Sequence, residues 1–298
     1  MRNENKTKRE KSSGVLYVVS TPIGNLEDIT IRALRVLKEV DLIAAEDTRR
    51  TRQLLTHYGI HKPIISYHEF NRRLREDSLL KELREGKNIA LVTDAGTPGI
   101  SDPGEDLVKR VVQESFPLVC IPGPSALIAA LSVSGLPTES FLFYGFLPSK
   151  ASARQKWLHS LEDRTETLVF YESPRRLRSC LEDAVKILGN RRVAVAREMT
   201  KVYEEIYRGT IAEVLNQLGE EEVKGEVTVI LEGGTRGKKV ELSTVSEALR
   251  YYSQEMGLSM KESVTRVSEE LGISRREVYQ ESLRAKKEEK ETPAPRQE

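Results

Sequence analysis

Short apolar runs alternating with longer amphipathic stretches constrain this chain more than any other feature. From Gly14 onward, VLYVVSTP, LIAAED, IISYH, NIALVTDAG and LVCIPGP read as strands, and ITIRALRVLKEV, RRLREDSLLKELREG and EDLVKRVVQES carry helical periodicity between them. A strand–helix–strand rhythm favours parallel pairing, so residues 15–137 are expected to form an α/β lobe on a mainly parallel sheet. Around VSGLPTESFLFYGFLPS the rhythm resets, with Gly135 and Pro137 at the boundary. FLFYGF, ETLVFYES, RRVAVAREM, YEEIYRGT and GEVTVILEGG then supply strands for a second lobe at 138–236. Two successive strands near Tyr203 have no helix between them, which predicts antiparallel pairing and a mixed sheet.

Beyond Gly233 and Gly234, TRGKKVE reads as a linker into a polar helical segment ending near 287. There SMKESVTRVSEELGISRREVYQESLRAKK gives a helix, a turn at Gly272–Ile273–Ser274 and a second helix opening with Arg275 and Arg276. This helix-turn-helix outline sets basic residues where a recognition helix meets phosphate, and it serves equally as a hairpin used for packing. The charge-rich ends, 1–14 and 288–298, are expected to be disordered tails.

At 298 residues the chain has room for two domain cores. Its 47 Lys and Arg against 46 Asp and Glu give no global field for nucleic acid, so local clusters matter instead. Arg49, Arg50 and Arg52, then Arg72, Arg73 and Arg75, then Arg175, Arg176 and Arg178 each follow a strand end and are candidates to grip phosphates. The Arg72 group, interleaved with Glu, reads better as a solvated helix face. Tyr67, His68 and Phe70 are candidates to stack on an unpaired base, or equally interface or core residues. Cys120 and Cys180 sit among apolar neighbours and are expected to be buried reduced thiols, as suits a cytosolic protein. His57 and His61 have helical spacing, but Gly59 intervenes and no acid or Cys cluster completes a site, so no metal is expected. No apolar stretch approaches the roughly 18 residues of a membrane span. MRNENKTKREKSSG also lacks the apolar segment of a secretory signal, and a cytoplasmic location is expected.

The chemically suggestive residues follow the strands: Pro22–Ile23–Gly24–Asn25, Glu46–Asp47, the loop TDAGTPGISDPG and Pro122–Gly123–Pro124–Ser125. In open α/β sheets these ends line one crevice. The TDAGTPGISDPG loop matches neither G-x-G-x-x-G nor a P-loop, and Asp94 and Asp102 would repel a phosphate. Negative charge in a loop that exposes its backbone suits an ammonium or sulfonium ligand bearing hydroxyls, such as S-adenosylmethionine. A tight turn whose aspartates cap a helix is the plainer alternative.

VVSTPIGNLEDITIRALRVLKEVDLIAAEDTR, SYHEFN, LVTDAGTPGISDPG, IPGPSALIAALSVSGLP, FYESPRRL, AREMTKVYEE and GEVTVILEG together closely resemble the tetrapyrrole-methylase superfamily. Within it they resemble the ribosomal RNA small subunit methyltransferase I family, from about Leu16 to Gly234. The resemblance implies a two-lobed α/β methyltransferase, distinct from the usual Rossmann type, that binds S-adenosylmethionine between its lobes and works as a homodimer. It further implies 2'-O-ribose methylation of a cytidine in the decoding region of small-subunit (16S) rRNA. Carried over by motif, Asp94, Ala95, Gly96, Thr97 and Pro98 form the cofactor loop with Ile100 beside it. Pro22, Pro122, Gly123, Pro124, Ser125, Tyr171, Val227 and Thr228 match segments lining the same cleft. A tetrapyrrole or corrinoid methyltransferase and a non-catalytic ribosome-binding protein are the competing readings.

Methyl transfer to a ribose hydroxyl is an in-line displacement that needs the hydroxyl oriented and its proton accepted. Glu46, Asp47 and Glu198 are candidate bases, and Lys201 is a candidate to lower the hydroxyl's pKa or, if desolvated, to act as base itself. Glu46 or Asp47 equally fits a helix cap, and Glu198 a pair with Arg197 or Lys201.

Overall fold

The computed structural model describes residues 13–219, 223–234, 245–271 and 273–291. The expected N-terminal tail up to residue 12, the TRGKKVE linker and the chain beyond Glu291 lie outside them. The chain divides into two compact units, Met1–Gly234 and Thr235–Glu298.

The first lobe of the larger unit runs β1 (Leu16–Val19), α1 (Ile31–Glu39), β2 (Leu42–Ala45), α2 (Thr48–His57), β3 (Ile64–Ser66), α3 (Arg72–Arg84), β4 (Ile89–Val92), α4 (Glu105–Gln113), β5 (Leu118–Ile121) and α5 (Ala126–Ser132). Its five strands are ordered β3-β2-β4-β1-β5 and pair in parallel throughout. Strand alternation sends Ile43, Ala45, Ala90 and Val92 to one face, under Val36 and Leu37 of α1. Ala44, Ile89 and Leu91 go to the other, under Leu79, Leu80 and Leu83 of α3 and Leu107 of α4. Both faces are thus covered, which is why β4 is an unbroken apolar run. Burying each of these leucines contributes about 2 kcal/mol.

One expectation fails here for a topological reason, and one open alternative is decided. β5 is an edge strand, so Cys120 is exposed although its neighbours are apolar; only Cys180 is buried. Tyr67 is a core residue, 1% exposed, with its hydroxyl donated to Glu76, and it offers no face to a base.

The second lobe runs β6 (Phe141–Phe146), α6 (Ala151–His159), β7 (Thr167–Glu172), α7 (Pro174–Leu188), β8 (Arg192–Arg197), β9 (Glu205–Thr210), α8 (Ile211–Gln217) and β10 (Val227–Leu231). The sheet order is β6-β7-β10-β8-β9, with β6–β7 parallel and the other pairs antiparallel. One face packs Phe170, Val195 and Val229 against Leu177 and Leu181 of α7. The opposite face packs Val169, Ala194 and Ile230 against Ala130 and Leu131 of α5. A helix that closes the first lobe therefore seals the second lobe's sheet, and this locks the two lobes around the crevice between them.

The smaller unit holds α9 (Val245–Arg250), a π-helical turn at Tyr251–Glu255, α10 (Met260–Leu271) and α11 (Arg275–Glu291) around Leu249, Val264, Val267 and Val278. α11 passes residue 287, where the sequence suggested its end. Ser259 with Glu262, and Ser274 with Glu277, form reciprocal capping boxes that start α10 and α11. No helix among the described residues is long and apolar enough to cross a membrane.

Candidate active site

The loop after β4 is pinned by its neighbours. Thr21 and Gly96 exchange both backbone hydrogen bonds, at 2.9 and 3.0 Å, which ties the loop to the end of β1. Gly96 sits at φ +80°, a left-handed conformation glycine adopts without strain. The Ser20 and Thr97 hydroxyls meet at 2.8 Å, and the Thr21 hydroxyl donates to the Thr93 carbonyl at 3.0 Å. Asp94 accepts the Asp47 N–H at 3.0 Å and faces Arg50 at 3.5 Å.

Beside this loop lies a cavity of about 570 Å³ between the lobes, in the usual size range for small-molecule sites. Ile23, Ile100, Leu127, Tyr171 and Met199 give it apolar walls, and Thr97, Ser101, Asp102, Ser125, Glu226 and Thr228 bring polar groups. Three acidic residues, Asp102, Glu172 and Glu226, line it with no Lys or Arg among the described residues. Such a wall favours a ligand with net positive charge.

Of the cleft residues expected from sequence, Ala95, Gly96, Thr97, Ile100, Ser125, Tyr171, Val227 and Thr228 lie on this wall. Pro22, Asp94, Pro98, Pro122 and Gly123 do not. Pro22 is buried, and Asp94 spends its carboxylate on Asp47 and Arg50. A Cβ on Gly123 would stand 3.0 Å from that of Ser20, so this glycine serves close packing.

The four candidate proton acceptors fare differently, and none is on the wall. Asp47 caps α2, and hydrogen bonds from the Arg49 side chain and backbone hold its carboxyl well below the usual range. Burial raises Glu46 above its ordinary value, opposed by the Asp94 N–H that it accepts at 3.3 Å. Burial pushes Glu198 up, but the Lys201 ammonium at 2.7 Å and the Glu226 N–H at 2.8 Å outweigh it and lower its pKa. Burial alone would lower Lys201, yet Glu198 and Glu226 raise it. Two carboxylates hold Lys201 charged, so it does not meet the desolvated condition on which its reading as a base depended. Glu198 and Thr200 have φ of +50° and +68°, so the segment carrying this ion pair is a strained one.

Sequence reasoning counted Asp102 as negative charge in the loop but did not place it among the candidate bases. Burial, with the charges of Glu46, Asp94 and Glu226, raises its pKa to about 7. The loop that contains it was singled out, but only the assembled lobes bring Glu226, remote in sequence, close enough to act on it.

The arginines divide as well. Arg49 and Arg50 are exposed but pair with Asp47 and Asp94. Arg176 pairs with Glu172, whose side chain is fully buried, so Arg176 serves structure rather than phosphate. Arg72 is held by Glu69 and Asp106, each at 3.0 Å. Arg52, Arg73 and Arg276 are exposed and form no ion pair among the described residues, and Phe70 is 95% exposed.

A profile of the Tetrapyrrole (Corrin/Porphyrin) Methylases matches residues 15–215. The "Ribosomal RNA small subunit methyltransferase I" of Halalkalibacterium halodurans is 45% identical over 94% of this chain and 98% of its own. The protein of the same description from Thermotoga maritima is 50% identical over 74% of this chain and 99% of its own. Among solved structures, cobalt precorrin-4 methyltransferase superposes with a TM-score of 0.54 at 16% identity, over 73% of this chain and 94% of that one. Uroporphyrin-III-C-methyltransferase from Thermus thermophilus gives 0.53 at 21%, over 76% and 98%. These two share the fold, while the Halalkalibacterium halodurans relative reaches nearly the whole chain. The chain therefore belongs to the tetrapyrrole methylases and, within them, to the ribosomal RNA small subunit methyltransferase I family of methyltransferases.

Proposed function

We propose that this enzyme transfers a methyl group from S-adenosylmethionine to the ribose 2'-hydroxyl of a cytidine in the decoding region of small-subunit (16S) rRNA, acting as a cytoplasmic homodimer. The observation that carries the reading is the 45% identity, over nearly full length, to a relative described by its action on small-subunit ribosomal RNA. The cavity fits the cofactor: it is large enough, apolar over much of its lining, acidic, and among the described residues without the Lys or Arg that a phosphate-bearing ligand would call for. S-adenosylmethionine supplies an electrophilic methyl group on a sulfonium with net positive charge. Ala95, Gly96, Thr97 and Ile100 hold the cofactor from one lobe, and Tyr171, Val227 and Thr228 from the other. Ser125, at the start of α5, sits where the lobes join. Lys201 holds Glu198 and Glu226 at the rim, and Gly24 lies against its side chain.

RNA is gripped outside this acidic pocket. Arg49, Arg50, Arg52 and Arg175 of the methylase lobes, with Arg275 and Arg276 at the start of α11, contact phosphates. Exposed Phe70 stacks on a base.

The fold neighbours named for corrinoid and porphyrin substrates keep one alternative in view, methylation of a free macrocycle. Incubation with tritiated S-adenosylmethionine, isolated small subunits lacking the modification and, separately, a uroporphyrinogen tests both. Label in the subunits alone is expected. Label in the macrocycle alone would replace the reading.

A further inference from the structure

Asp102 is the acid on the cavity wall that no protein group neutralises. Each carboxylate around it is engaged: Glu46 by the Asp94 N–H, Asp94 by the Asp47 N–H and Arg50, and Glu226 by Lys201. Asp102 itself has no hydrogen bond or ion pair among the described residues, although it is half-buried and lines the cavity together with Ser101 and Tyr171. Resting on the methyl-transfer reading, we propose that Asp102 accepts the 2'-hydroxyl proton, and that a cation in the cavity ionises it for that task.

The step balances. A lone pair of the 2'-oxygen forms the new C–O bond, and the C–S bond breaks with its electron pair going to sulfur, which becomes a neutral thioether. The O–H proton passes to the Asp102 carboxylate. Asp102 faces Glu46 and Asp94 from the first lobe and Glu226 from the second, and the Tyr171 phenol on the same cavity wall is itself raised by burial and by the charges of Asp102 and Glu226. Among the described residues, Arg50 is paired with Asp94 and Lys201 with Glu226, so each of these cations is already matched. With its pKa near 7, Asp102 carries its proton about half the time in the empty cavity at neutral pH. A positive ligand beside it favours the carboxylate and expels that proton. Once the methyl has left, the ligand is neutral and Asp102 keeps the proton taken from the substrate. The next positive ligand then drives it off, so ligand exchange resets the base.

Calorimetric titration at pH 7, in buffers of differing ionisation enthalpy, reads this directly on the whole enzyme without RNA. S-adenosylmethionine and S-adenosylhomocysteine share the same amino acid end, so their difference isolates the sulfonium. Release of on the order of half a proton is expected with the first and close to none with the second. Asp102→Asn should abolish the difference and lower single-turnover methylation of small subunits by about a hundredfold or more, with subunit binding unchanged. Asp102→Glu should restore part of the rate. Equal proton release with the two ligands, or Asp102→Asn turning over at the wild-type rate, overturns the proposal. If Asp102→Asn does not fold, the wild-type comparison of the two ligands decides alone. Wild-type label on a macrocycle or on a base would overturn the rRNA 2'-O reading instead, leaving the titration result standing.

Discussion

The Asp94 carboxylate accepts the Asp47 backbone N–H at 3.0 Å, while the Asp94 N–H points back at the Glu46 carboxylate at 3.3 Å. This reciprocal pair staples the loop after β4 to the corner after β2, so Asp94 acts on the cavity through the position of Ala95–Thr97.

Asp94→Ala leaves the Asp47 N–H without its acceptor. A stability loss of about 1–2 kcal/mol is expected, together with cofactor affinity at least about tenfold lower. Asp94→Asn keeps an acceptor oxygen and should retain most of both. Denaturant unfolding and calorimetry on the two variants separate a stapling role from direct charge recognition, which would make Asp94→Asn as damaging as Asp94→Ala.

Asp102 should cost the protein stability. Its pKa rises from 3.8 in the unfolded chain to about 7 in the fold, so between those values the native state binds more protons. Its stability contribution is full below pH 3.8 and is lost as pH rises toward 7. Asp102→Asn is therefore expected to stabilise the enzyme by about 1–2 kcal/mol at pH 8 after solvent screening, and by less at pH 5. Urea unfolding at the two pH values checks the sign.

Arg176 and Arg52 give opposite outcomes. Arg176→Ala strands the buried Glu172 carboxylate and should destabilise the fold by about 3 kcal/mol. Arg52→Ala touches no ion pair among the described residues and should leave stability within about 0.5 kcal/mol. It should weaken small-subunit binding and reduce the slope of log affinity against log salt by about 1.

Gly24 faces the opposite lobe. A Cβ there would stand 2.3 Å from Lys201 Cγ, beside the 3.1 Å hydrogen bond from the Asn25 N–H to the Thr200 hydroxyl. Gly24→Ala is expected to push the strained 198–204 segment away at a local cost of about 1–3 kcal/mol. Because Gly24 is exposed, this should appear as weaker cofactor binding with little change in melting temperature.

The strands were legible because a buried strand leaves a short apolar run bounded by turn residues, and β4 and β10 show this most plainly. The antiparallel β8–β9 pair was legible from the missing helix between them. Long-range placement was not. Nothing local to Val227–Leu231 says that β10 inserts between β7 and β8, and Cys120 looks buried until β5 is known to be an edge. The loop after β4 was readable as a motif. The division of labour among its acids was not, because Asp47, Glu198 and Lys201 owe their ion pairs, and Asp102 its freedom from one, to packing between segments.

The central claim is the site of methylation, and nucleoside analysis tests it most directly. Small subunits lacking the modification are treated with enzyme and labelled S-adenosylmethionine, their rRNA is digested, and the labelled nucleoside and its position are identified by mass spectrometry. The account expects 2'-O-methylcytidine from the decoding region, in a linkage that resists alkaline cleavage. Label on a base, or in a ribose elsewhere in the rRNA, would contradict it.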